Sequence, residues 1–352
     1  MVSRGVWPGG PKLAISATLA PRPTERHFLL VFLNMEHSGW TEEQVEDCRE
    51  MPAMPEAASD AQRAQLAAYD AFDARFESRK AVNRAAKRAL RLDPDCIDAF
   101  LAQWQMEWED SPKALELATK AHAAARVALS GAQSAPIHDD DLWSNFSNRP
   151  IIRAHTALAL TLWAHERFEE AIAAAREVLA MNPGDNLGIR WHLENWYLTL
   201  GRVRPARQLL RDYPDEPWAA AAFAGALAEF AHSGPSKKAR RCLAWAQEIS
   251  PFMFRILRSP VESIDVPVTW DYYMSGSWQE ALQWHPVVRP AWDAFPEALE
   301  WYLQMDEQPD FVRRSEEGVV RLVMDMAEES GLSFPDAVRV LREDGLLPDD
   351  DL

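Results

Sequence analysis

Arg153 and Arg190, with the aromatic residues Trp163 and Tyr197 ten and seven positions further on, form the part of this chain best suited to holding a ligand. A guanidinium donates two parallel hydrogen bonds from a planar fork, which matches a carboxylate. The expected ligand is therefore a peptide C-terminus or an acidic side chain. Trp163 and Tyr197 would take apolar groups beside it, and Glu194 shares the face. Internal pairing competes with this reading, because Asp185, Asn186 and, at i+4, Glu194 all lie within reach of Arg190.

Other candidate chemistry is thinner. His138-Asp139-Asp140-Asp141 offers imidazole and carboxylates, but consecutive residues rarely converge on one ion. His155 and His165 stand ten apart, too far for the i, i+4 pairing of a helical zinc site. No His-Glu-x-x-His, Gly-x-Ser-x-Gly or Walker sequence occurs. No catalytic residue, metal ligand or cofactor is expected on these grounds. If the chain is an enzyme, Trp143 with Arg149 is the first place to look. Arg79, Lys80, Arg84, Lys87, Arg88 and Arg91 make a basic stretch that suits nucleic acid or an acidic partner. Its plainer reading is a solvated helix face beside alanines.

Composition narrows the class. The 352 residues are 47% hydrophobic and 26% charged, a globular balance. Only 14 are glycine, which favours helix, and 15 are tryptophan, a residue that wedges between helices. A net charge of −17 argues against general nucleic-acid binding, which needs a cationic surface. Three dispersed cysteines without CxxC spacing predict neither zinc site nor disulfide framework. The early apolar run Phe28 to Leu33 is six residues, far too short to span a bilayer. A cytoplasmic protein without membrane contact is the expectation.

The elements that position these residues read as helix, break, helix, repeated. Asn182-Pro183-Gly184-Asp185 ends one helix, and Asp185 or Asn186 can cap the next. Ile249-Ser250-Pro251 is a second junction, and Pro183 to Pro251 spans 68 residues, two periods of 34. A 34-residue period with proline at the unit end is the tetratricopeptide spacing, in which stacked helical pairs share one core. The predicted units are 151–183, 186–215 and 218–251. Ala159 and Ala171 allow close approach within a pair. Upstream, one helical pattern runs from Asp60 to Leu92, followed by Ile97–Trp108 and Pro112–Leu129 and by a non-helical insertion, 131–148. Thr41 with Gln44 suggests a helix start, and His27–Asn34 reads as a strand or a buried helical turn. Helices over 278–285 and 291–304 would cap the open end. Residues 310–345 read as a small separate helical unit, with Ser333 capping its second helix.

The fold class is therefore all-α: a tetratricopeptide-like α-solenoid over 61–305, an irregular segment 1–60, and the C-terminal unit. Leu142-Trp143, Asn148-Arg149-Pro150-Ile151-Ile152-Arg153-Ala154, Asn182-Pro183-Gly184-Asp185-Asn186-Leu187-Gly188-Ile189-Arg190, the Tyr213 turn and Gly276-Ser277-Trp278-Gln279-Glu280-Ala281 carry a further likeness. In these stretches the chain resembles the suppression-of-tumorigenicity-7-like group and its bacterial tetratricopeptide relatives. Eukaryotic members are membrane-anchored, a feature absent from this sequence, and the resemblance implies a fold rather than an activity. Tetratricopeptide solenoids bind along a groove lined by the first helix of each pair. Arg153, Thr156, Leu160 and Trp163 of one unit and Leu187, Arg190, Glu194 and Tyr197 of the next would face it. The expected function is a scaffold for a protein or peptide with an acidic or carboxylate group. The alternative is an enzyme or small-ligand receptor whose pocket forms between the 131–148 insertion and the aromatic segment after 260.

Overall fold

A computed structural model describes residues 19–21, 23–38, 41, 50–132, 142–214, 216–261, 275–330 and 332–343. The Thr41–Gln44 helix start, the His138–Asp141 run, Trp270, Tyr272 and Tyr273 lie wholly or partly outside them. The described residues are all-α, with no strand among them. No described helix is long and apolar enough to cross a membrane. The chain divides into two compact units, Thr18–Ile189 and Arg190–Leu352. That division falls inside the stretch expected to be one repeat domain.

The first unit begins with α1 (Pro23–Ser38), a helix that covers the run read as strand or helical turn. The single pattern expected over 60–92 is two helices, α2 (Asp60–Asp73) and α3 (Arg79–Leu92), packed on each other. Ser78 makes the break: its hydroxyl accepts from the Ala81 N–H at 3.1 Å and starts α3. At the head of α2, Ser59 and Gln62 form a reciprocal capping box. Then come α4 (Ile97–Trp104), α5 (Pro112–Ala132), α6 (Arg149–Ala164) and α7 (Phe168–Met181). Helix α6 packs on α4, α5 and α7 and is buried at nearly every position from Pro150 to Leu162. Ala159 and Ala171 are fully buried, as close approach requires. The Trp104 indole N–H donates to the Thr161 hydroxyl at 2.8 Å and joins α4 to α6.

The second unit holds α8 (Ile189–Thr199), α9 (Val203–Asp212), α10 (Ala219–Ser233) and α11 (Lys237–Ile249). Asp185 is the cap at the junction, its carboxylate accepting from the Ile189 N–H at 2.9 Å. Helices α7, α9 and α11 begin at 168, 203 and 237, spaced 35 and 34 apart. Beyond them lie α12 (Pro251–Ile256), α13 (Trp278–Asp293), α14 (Pro296–Asp306), α15 (Pro309–Ser330) and α16 (Phe334–Glu343). Helix α13 runs straight through Pro286 and Pro290, where a break was expected. Two lost N–H donors cost about 3 kcal/mol each in an open helix. Here the buried Trp284, Val288 and Trp292 hold the helix together. Helix α15, expected to begin a separate unit, packs on α11 and α12. Ser333 does cap α16, accepting from the Asp336 N–H at 3.3 Å.

Two corresponding turns differ by one residue. The Arg167 N–H reaches Leu162 O at 2.9 Å, and the Arg202 N–H reaches Tyr197 O at 2.7 Å. Both close over a left-handed residue: Glu166 at φ 59° and Gly201 at φ 69°. Glycine takes this conformation freely, whereas an L side chain is strained by about 1–2 kcal/mol. Glu166 is exposed, so its side chain offers little in return. Glu166→Gly is expected to stabilise the first unit by about 1 kcal/mol, read as a higher midpoint in guanidinium unfolding at unchanged slope.

Candidate functional site

The expected groove arginines lie inside their units. Arg153 is 1% exposed. Its Nε and Nη2 donate to Asp98 at 3.1 and 2.6 Å, and its Nη1 donates to Glu25 at 2.9 Å. Both acids are buried, and Gln65 donates to Asp98 at 2.5 Å. Burial alone would push this guanidinium down; Asp98 and Glu25 outweigh it and hold it above its ordinary value. The same burial pushes the neighbouring Tyr69 phenol up. Helices α1, α2, α4 and α6 thus meet on one buried ionic cluster, and Arg153 has its fork committed within the fold. Thr156 and Leu160, expected beside it, are also buried. Trp163 is half-buried, its ring 4.6 Å from that of Phe168.

Arg190, in the second unit, is also buried. It pairs with Glu216 at 2.7 Å, a residue outside the candidates at short range, and its guanidinium stacks over Trp191 and Tyr213 at 5.1 and 4.8 Å. Glu194 and Tyr197 are buried. Trp143 and Arg149 do come together: Arg149 lies 4.4 Å over the Trp143 ring and 3.9 Å over Phe146, and it donates to Trp143 O at 3.1 Å. Its other side faces Glu25 at 3.4 Å. Burial holds this guanidinium below its ordinary value, with Glu25 offsetting only part of that shift. This is a packed cation–π sandwich. Residues 133–141 of the insertion and 262–274 of the aromatic segment lie outside the described residues.

The chemistry sought in the groove is present on α3. Arg79, Lys80, Asn83, Arg84, Lys87 and Arg91 line an open recess of about 710 Å³. On a helix these positions fall within an arc of roughly 140°, so they share one face. All five cations are exposed. Arg79 is engaged by Glu107 at 2.5 Å, and Arg88, at the edge of the face, pairs with Asp70. Lys80, Arg84, Lys87 and Arg91 have no ion pair among the described residues. Asn83 accepts from Gln103 at 2.9 Å, which fixes the α3 face against α4. The buried positions Ala81, Val82, Ala86 and Ala89 anchor the opposite side. The basic spacing was visible in the sequence; the want of counter-charges was not. Such a face can hold an extended anionic chain by several charge-assisted bonds. No protein-family model matches the chain, and no curated protein is similar enough to count as a relative.

Proposed function

We propose that this chain is a helical-repeat scaffold of the tetratricopeptide kind that binds an acidic segment of a partner protein along the exposed face of α3. One observation carries the reading: four cations on one helix face have no ion pair among the described residues, in a chain with 54 acidic residues and a net charge of −17. Neighbouring like charges on a helix repel by about 0.2–0.5 kcal/mol per pair, a cost that a bound acidic segment relieves. Arg153 and Arg190 then act as internal struts, and the partner chemistry first expected of them passes to α3. A short acidic peptide fits better than a long polyanion, which the net charge repels at distance. The 35- and 34-residue helix spacing supports the repeat assignment, and the free thiols of Cys96 and Cys242 suit a reducing, cytoplasmic setting.

Fluorescence anisotropy with a labelled twelve-residue Asp/Glu-rich peptide tests this. Exposed pairs contribute about 0.5 kcal/mol each. Reversing Lys80, Arg84, Lys87 and Arg91 to Glu is therefore expected to weaken binding at least about 30-fold at low salt, with circular dichroism unchanged. Equal affinity in the reversed variant sinks the assignment. Tighter binding of an RNA or DNA oligonucleotide of equal length would move it to nucleic acid.

A further inference from the structure

Three helices of the first unit bring His122, His155 and Glu177 to one point, and we infer that they form a binding site for a divalent transition metal of the zinc class. His122 comes from α5, His155 from α6 and Glu177 from α7. One ligand atom from each lies within 4.8 Å of the others. The two imidazole rings stand 4.5 Å apart, crossed at 75°. This trio is independent of the α3 face and of the acidic-segment reading.

The inner ligand is already oriented. His155 Nδ1 sits 2.9 Å from Ile151 O. A carbonyl only accepts, so Nδ1 carries the proton and Nε2 presents its lone pair. That is the outer-shell arrangement that fixes metal-binding histidines. His155 is buried and His122 half-buried, and imidazole ligates in its neutral form. Glu177 is exposed on a flexible side chain and supplies the anion. Tetrahedral zinc with bonds of about 2.0–2.1 Å places its donors about 3.4 Å apart, so the outer side chains draw in by about an ångström. Two imidazoles and one carboxylate select zinc, cobalt or nickel over calcium or magnesium, which want oxygen. Three protein ligands at the surface leave the fourth position to water.

One group opposes the ion. Arg126, a turn beyond His122 on α5, sets a positive charge near both imidazoles. It is exposed and can swing into solvent. A cation therefore competes with this guanidinium, and removing it tightens the site.

The full chain, stripped with EDTA and dialysed, is titrated with Co²⁺ by visible absorption and with Zn²⁺ by calorimetry. One equivalent is expected, with a dissociation constant in the micromolar range or below, intense tetrahedral d–d bands, and no competition from millimolar Mg²⁺. His122→Gln and Glu177→Gln, both at accessible positions, each weaken binding at least tenfold, while Arg126→Gln strengthens it several-fold. No saturable binding below 100 μM Zn²⁺ overturns the assignment. So does binding of unchanged affinity in the His122→Gln/Glu177→Gln double variant, which places the ion elsewhere.

Discussion

Arg153→Met lowers the stability of the first unit by about 3–5 kcal/mol. The substitution keeps the length and apolar stem of the side chain, so little volume is lost. What goes is the cation between Glu25 and Asp98, two carboxylates that are 1% and 0% exposed. Removing one partner from a buried ion pair leaves an uncompensated charge, and the loss is about 3–5 kcal/mol. Arg149 still faces Glu25, and Gln65 still donates to Asp98, which keeps the loss toward the lower end. Hydrogen exchange of the α6 amides reads the first unit alone. A loss below about 1 kcal/mol contradicts the account. Replacing the whole set apolar, Glu25→Leu with Asp98→Leu and Arg153→Met, is expected to recover most of the stability, since matched apolar packing often equals a buried ion cluster.

That cluster shows where sequence reading ran out. The fork of Arg153 was recognised as a carboxylate binder, and it does bind carboxylates. They belong to this same chain, 55 and 128 residues away. No local pattern announces partners at that range. The trio of His122, His155 and Glu177 is hidden in the same way, each residue on its own helix and none at ligand spacing along the chain. Arg190 likewise pairs with Glu216, which lies beyond the next helix and outside any short-range pattern.

Local punctuation was legible. Asn182-Pro183-Gly184-Asp185 ends α7 and Asp185 caps the next helix, because proline and an acid at a cap act on their own backbone. Ser333 did the same for α16. The turn between α2 and α3 went unseen, since an alanine- and arginine-rich sequence without glycine or proline carries helical propensity across it. Only Ser78, a single cap, marks the change. Pro286 and Pro290 misled in the opposite direction: the penalty of a proline is local, and the aromatic burial that overrides it is not. The groove residues on α6 were read from one amphipathic stripe. The amphipathic stripe of α6 is one of several buried faces, because α4, α5 and α7 cover it all round.

Glu280 yields the second large effect, and it is a pH effect. Ser277 caps α13, accepting from the Glu280 N–H at 3.1 Å, and the Glu280 carboxylate accepts from the Gly276 N–H at 2.6 Å and the Ala219 N–H at 2.9 Å. Ala219 opens α10, so one buried acid closes the N-termini of two helices. Burial pushes this carboxyl up from about 4.5 to about 7, against the pull of the two N–H donors. A folded-state pKa raised in this way gives stability that is complete below about 4.5 and is lost as pH climbs through 7. Over that window the second unit loses about 3 kcal/mol from this one group. His192 and His285 work the other way: burial depresses them to about 3 and 4, so their contribution is present at high pH and lost on acidification. Raw stability therefore mixes opposed slopes, and the difference between the native chain and Glu280→Gln isolates the carboxyl. The amide cannot ionise and keeps one acceptor oxygen. The native chain is expected to be the more stable at pH 5, with the advantage shrinking by about 3 kcal/mol toward pH 8. Glu280→Ala strands two buried N–H groups and costs about 2–4 kcal/mol, more at pH 5 than at pH 8. A native-minus-Gln difference that stays flat from pH 5 to 8 would mean that the two N–H donors outweigh burial and keep Glu280 ionised throughout. The carboxylate would then be a permanent cap on both helices, with no titration at neutral pH.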